Sequence, residues 1–174
     1  MRFRVALPCL AALLPVLAAA QSTSPVADAF RNEAKTRGKN LMAAAEVMPA
    51  DKYGFKPTPA QMTFGDVVNH LAGGNDAFCS AIGGVKAPAR TKISGTDSKA
   101  TLTARLKETF DFCNEALAKL DDSKLAEPMN MFGMSSTRAG FMLIAADDWG
   151  DHYSQSSIYL RLNGLLPPTA KPAK

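Results

Sequence analysis

The sequence predicts an all-α fold, an antiparallel four-helix bundle. Three observations support it. Apolar residues recur every three or four positions in four separate stretches, and Pro- and Gly-rich breaks divide those stretches. No segment alternates polar and apolar residues convincingly, as a half-buried strand would.

The first stretch runs from about Val26 to Met48, with Val26, Phe30, Leu41, Ala45 and Met48 at helical spacing, and the Pro49 region ends it. A connector from Ala50 to Gln61 follows. Its Tyr53 and Phe55, set beside Pro57 and Pro59, are expected to pack as a cap on the bundle. The second helix starts at Thr63, because Thr63-Phe64-Gly65-Asp66 resembles a capping box with Asp66 as a shorter Glu. Its inward row reads Phe64, Val67, His70/Leu71, Gly74, Phe78 and Ala81, and Gly83-Gly84 ends it. Gly73-Gly74 lowers helix propensity, for which a close backbone approach by a neighbouring helix would compensate. After a polar loop, the third helix runs from about Asp97 to Leu120, with Leu102, Leu106, Thr109, Cys113, Leu117 and Leu120 facing inward. The connector from Asp121 to Ser136 carries Met129, Met131, Phe132 and Met134. These suit either an apolar rim or a loop packed over the core. The fourth helix spans about Thr137 to Asn163, with Gly164 just past its end and Pro167-Pro168 beyond.

Arg2 and Arg4 precede an apolar run from Val5 to Leu17 and then Ala18-Ala19-Ala20, the pattern of a secretory signal peptide cut after Ala20. The run is short for a membrane span and is interrupted by Pro8 and Pro15, which disfavours the alternative of an uncleaved anchor, and no stable membrane insertion is expected after cleavage. The product is expected in the periplasm or outside the cell. Residues 21–168 then form one bundle domain, and the polar tail 169–174 is expected to be disordered. Removing two arginines and no acids from the formal charge of +4 leaves +2, with no basic cluster, which argues against a nucleic-acid partner. Cleavage leaves Cys79 and Cys113, a pair expected to form a disulfide in an oxidising compartment. Two buried thiols or a reactive pair are the alternatives. Neither a CxxC spacing nor a basic neighbour favours reactivity.

The functional signal lies in the fourth helix. One residue every three or four gives Phe141, Ala145, Asp148, His152, Gln155, Tyr159 and Leu162, a row whose middle is polar. Asp148 and His152 stand one turn apart on one face, a spacing that suits two ligands of one cation. His70, the other histidine, sits on the inward edge of the second helix and would be the third ligand. Two nitrogens and one oxygen would leave coordination positions for water. A hydrogen-bonded core network is the competing reading of the same residues. Asp151 is the one nearby candidate for a general base, though laterally offset, Asp147 is expected to face solvent or to cap locally, and Trp149 and Tyr153 to pack.

The run from Met48-Pro49-Ala50-Asp51-Lys52-Tyr53-Gly54-Phe55 to Pro59, then Thr63-Phe64-Gly65-Asp66 through His70-Leu71-Ala72, resembles the DinB/YfiT superfamily. So does His152-Tyr153-Ser154-Gln155 leading into Tyr159-Leu160-Arg161-Leu162-Asn163-Gly164. Within that family the chain is most similar to exported, damage-inducible-type members. The resemblance implies an up-down-down-up bundle holding a divalent metal on three histidines, one from helix two and two from a His-x-x-x-His in the later helix. Carried over, these fall on His70, Asp148 and His152, so that Asp148 departs from the pattern. A carboxylate there hardens the site: zinc or nickel fit, manganese or iron become more accessible, and weakened binding is a further outcome. The resemblance also implies thiol-dependent transferases and isomerases, with a possible homodimer. The residues themselves admit a metal-dependent thiol transferase or hydrolase acting on a small molecule, or a non-catalytic, stress-associated bundle with a degenerate site.

Overall fold

The computed structural model describes residues 23–170. The leader expected over residues 1–20, its cleavage point and residues 171–174 of the tail lie outside the described residues. Four helices make up the body: α1 (Pro25–Val47), α2 (Phe64–Gly83), α3 (Lys99–Leu117) and α4 (Arg138–Leu162). Single 3₁₀ turns stand at Ala50–Lys52 and Asp122–Lys124. A hairpin of β1 (Pro128–Met131) and β2 (Met134–Thr137) leads directly into α4.

Local chemistry sets the helix boundaries. Thr63 and Asp66 form a reciprocal capping box at the start of α2, and Gly84 closes its end in the left-handed region at φ 67°. Ser98 accepts the Thr101 amide ahead of α3, and Thr137 accepts the Gly140 amide ahead of α4. Pro25 opens α1, where its missing N–H costs nothing.

The helices pack as a ring in which α1 and α2 each touch α3 and α4. Their directions follow from the contacts. Arg31 donates to Leu117 and Leu120 carbonyls near one end, while Lys99 meets Glu46 at the other, so α1 and α3 are antiparallel. Asn75 meets Thr109 and Cys79 meets Cys113 further along, so α2 and α3 are parallel. Phe64 lies against Tyr159 and Arg138 donates to the Ile82 carbonyl, so α2 and α4 are antiparallel. The bundle is therefore up-down-down-up, and the plain antiparallel reading holds only for two of its four contacting pairs. Parallel neighbours require a return strand of chain. Residues 84–98 supply it, pinned by Arg90, which reaches Asp76 at 2.5 Å and Glu108 at 3.1 Å.

The core runs through all four helices. Trp149 is wholly buried, stacked on Phe30 at 5.6 Å, and its indole N–H donates to Asn75 Oδ1 at 2.8 Å. Asn75 in turn donates to Thr109 Oγ1 at 3.1 Å, joining α2, α3 and α4 through one buried amide. Tyr53 and Phe55 cap the bundle as expected, edge-on to Phe64 and Tyr159 respectively. Cys79 and Cys113 are joined in a disulfide with Cα atoms 5.0 Å apart.

Three expectations need correction. The 121–136 connector holds a hairpin, whose turn places Phe132 and Gly133 at φ 51° and 75°. Gly73-Gly74 is not a helix crossing: a Cβ at Gly73 would meet nothing within 4 Å, and one at Gly74 would meet only Asp148 at 3.8 Å. The close approaches fall instead at Gly65, against the Gly95 carbonyl, and at Gly83, against the Ala116 carbonyl. Thr169, the first residue of the expected disordered tail, is tied down because its amide and hydroxyl both bond Tyr153 Oη, at 3.0 and 2.8 Å.

Candidate metal centre

His70, Asp148 and His152 converge where α2 and α4 face each other across the middle of the bundle. One donor atom from each lies within 4.8 Å of the others. Asp148 Oδ1 stands 3.4 Å from His152 Nε2 and 3.8 Å from His70 Nε2, and the two imidazole rings meet edge-on at 4.8 Å. Metal–ligand bonds of about 2.0–2.2 Å place the donors of a tetrahedral ion about 3.4 Å apart. The shorter pair matches that spacing. The longer separations close by rotation of His70, whose side chain is 52% exposed and unconfined. Two imidazole nitrogens and one carboxylate oxygen thus form a group able to hold a divalent ion.

The surroundings of His152 fit a ligand role. Its side chain is nearly buried, and its Nδ1 pairs with Gln155 Oε1 at 3.2 Å. An amide oxygen only accepts, so this contact places the ring proton on Nδ1 and turns the Nε2 lone pair toward Asp148. Without an ion, the Asp148 carboxylate beside Nε2 raises the His152 pKa above its ordinary value. Burial opposes this, and Gln155 and Asp151 add smaller upward pulls. Asp151, the one nearby candidate for a general base, stands off the cluster: it is 75% exposed and 4.0 Å from Nδ1, on the side of the ring away from Asp148. Asp147 is exposed and Trp149 and Tyr153 are buried, as their positions on the helix imply.

An open cleft of about 570 Å³ adjoins the donors, bounded by Asn69, Gly73, Gly74, Phe78 and the hairpin residues Phe132 and Met134. Of the two readings of the Met- and Phe-rich connector, Phe132 and Met134 follow the rim. Sequence reasoning missed the roles of Gln155 and Asn75. Gln155 was visible as the residue one turn after His152, whereas nothing local marks Asn75 as the partner of Trp149.

The sequence profile of the DinB superfamily matches residues 34–156, which include all three donors. The chain belongs to the DinB superfamily. Among solved structures, a DinB-like protein from Bacillus cereus superposes with a TM-score of 0.69 at 18% identity, covering 83% of this chain and 97% of that one. A DinB-like protein from Bacillus subtilis gives 0.66 at 19% identity, covering 83% and 99%. A histidine mutant of the mycothiol-dependent maleylpyruvate isomerase gives 0.60 at 8% identity, covering 74% of this chain and 59% of that one. These likenesses establish the DinB fold. No functionally curated protein matches the sequence.

Proposed function

We propose that this DinB protein is an exported, divalent-metal-dependent enzyme, thiol transferase-like or hydrolase-like. The observation that carries this reading is the convergence of three donors from facing helices beside an open cleft. Zinc or nickel suit the two nitrogens and one oxygen best, with manganese or iron as harder alternatives. Such an ion lowers the pKa of a bound thiol or water and so supplies a nucleophile at neutral pH. The residues themselves divide the work. His152, held by Gln155, presents a fixed nitrogen; Asp148 supplies the negative charge; and His70, on the solvent side, is the ligand that can move. The structural likeness to a mycothiol-dependent isomerase favours the thiol variant. The basic and apolar leader, together with the disulfide, supports export.

Elemental analysis of protein purified from its native compartment tests this reading. Near-stoichiometric metal is expected, and both His70→Ala and His152→Ala should lose it. A metal-free protein whose thermal stability ignores chelators would overturn it.

One feature favours a second reading, a non-catalytic bundle with a degenerate site: Asp148 stands where the resembling family's pattern has its middle histidine. Under that reading, Asp148→His would raise metal affinity strongly without producing turnover of any thiol or ester substrate.

A further inference from the structure

We propose that the cleft beside the donors selects molecules with a metal-binding head and an uncharged apolar body, and that Phe132 and Gly73 set this selectivity. The inference rests on the metal reading above and names the substrate class of that site.

Three independent features point to it. The first is the floor. Two consecutive glycines in the interior of α2 cost helix stability, yet neither admits a close helix neighbour. What they do is keep the space over the donors clear: only the Asp148 carboxylate comes within 4 Å of a Cβ at Gly74, and nothing does at Gly73.

The second is the wall. Phe132 holds a left-handed conformation at φ 51° in the hairpin turn, where Asn or Gly would fit at lower cost. Its ring is nevertheless 61% exposed, touching Phe78 edge-on at 5.2 Å. The turn alone does not call for an aromatic side chain there. Met134 beside it, also exposed, extends the same apolar wall with a deformable thioether.

The third is charge. Among the described residues the cleft lining contains no lysine or arginine; its polar groups are Asn69, His70 and Asp148, and the nearby basic side chains Arg90, Lys92 and Arg105 line a separate pocket that shares Asn69 and Gly73 with it. Inside the cleft an anionic body would find no partner apart from the ion, whereas an aromatic or aliphatic one gains area against Phe132, Met134 and Phe78.

The test uses the protein loaded with Co²⁺, whose thiolate charge-transfer band reports occupancy of an open position. Benzyl mercaptan, 2-mercaptoethanol and mercaptosuccinate are titrated in turn, each binding as thiolate and releasing its proton to buffer. Benzyl mercaptan should bind at least about ten-fold tighter than either polar thiol, the gain expected for burying a ring against an apolar wall. Phe132→Asn keeps a residue suited to the turn, and Gly73→Leu improves helix propensity, so both variants should fold and bind one cobalt. Each should abolish the preference. Equal affinities for the three thiols, or a preference unchanged in both variants, would overturn the inference while cobalt uptake leaves the metal site standing. Failure to take up cobalt would overturn the metal reading, and this inference with it.

Discussion

His152 couples the candidate site to pH. Its raised pKa means that the pair with Asp148 stabilises the metal-free protein at pH below the ordinary histidine value of about 6.5. That contribution fades as pH climbs through the raised value. Proton NMR of the two histidines should therefore show His152 titrating above 6.5, and Asp148→Asn should move it down and remove the low-pH gain. A metal held on the proposed donors would compete with the same proton, so apparent metal affinity should rise with pH across that window. Asn75 makes a second prediction. Asn75→Ala leaves the buried Trp149 indole N–H without an acceptor and takes the donor from Thr109 Oγ1, which keeps its own bond to the Leu106 carbonyl, and should cost about 2 kcal/mol or more by urea denaturation. The candidate donors were legible as a cluster because a polar pair in an apolar row is locally anomalous. Asn75 was not, since its meaning depends on residues 34 and 74 positions away.

At the scale of elements, two glycines of α2 should respond oppositely to alanine. Gly73 has open space, so Gly73→Ala should gain roughly 0.5–1 kcal/mol from helix propensity. Gly65 lies against the Gly95 carbonyl, so Gly65→Ala must displace backbone and should lower the melting temperature. The sequence offered no way to tell them apart, because each reads only as a helix-weakening residue. The Thr63–Asp66 box was readable, since its two hydrogen bonds are made within four residues. The hairpin was not. Its strands are four residues long, rich in Met and Ser, and joined by Phe132-Gly133 rather than the Asn-Gly that marks such turns.

For the whole molecule, helix number and inward faces followed from periodicity, while helix direction depends on which faces meet across long connectors. The disulfide joins two parallel neighbours across 34 residues. On the chain-entropy account it contributes about 4 kcal/mol. Denaturation with and without reductant should show that difference, and labelling of both cysteines without reductant would refute the bond. The topology also has a mechanical consequence. Because α1 and α4 run the same way, the start of α1 and the end of α4 lie at opposite ends of the bundle. A pull between those points loads the helices in shear along their length instead of peeling one away. The segment between the cysteines carries none of that extension while the bond is intact. Reduction should therefore lengthen the fully stretched chain by about 120 Å, at roughly 3.5 Å for each of the 34 residues released.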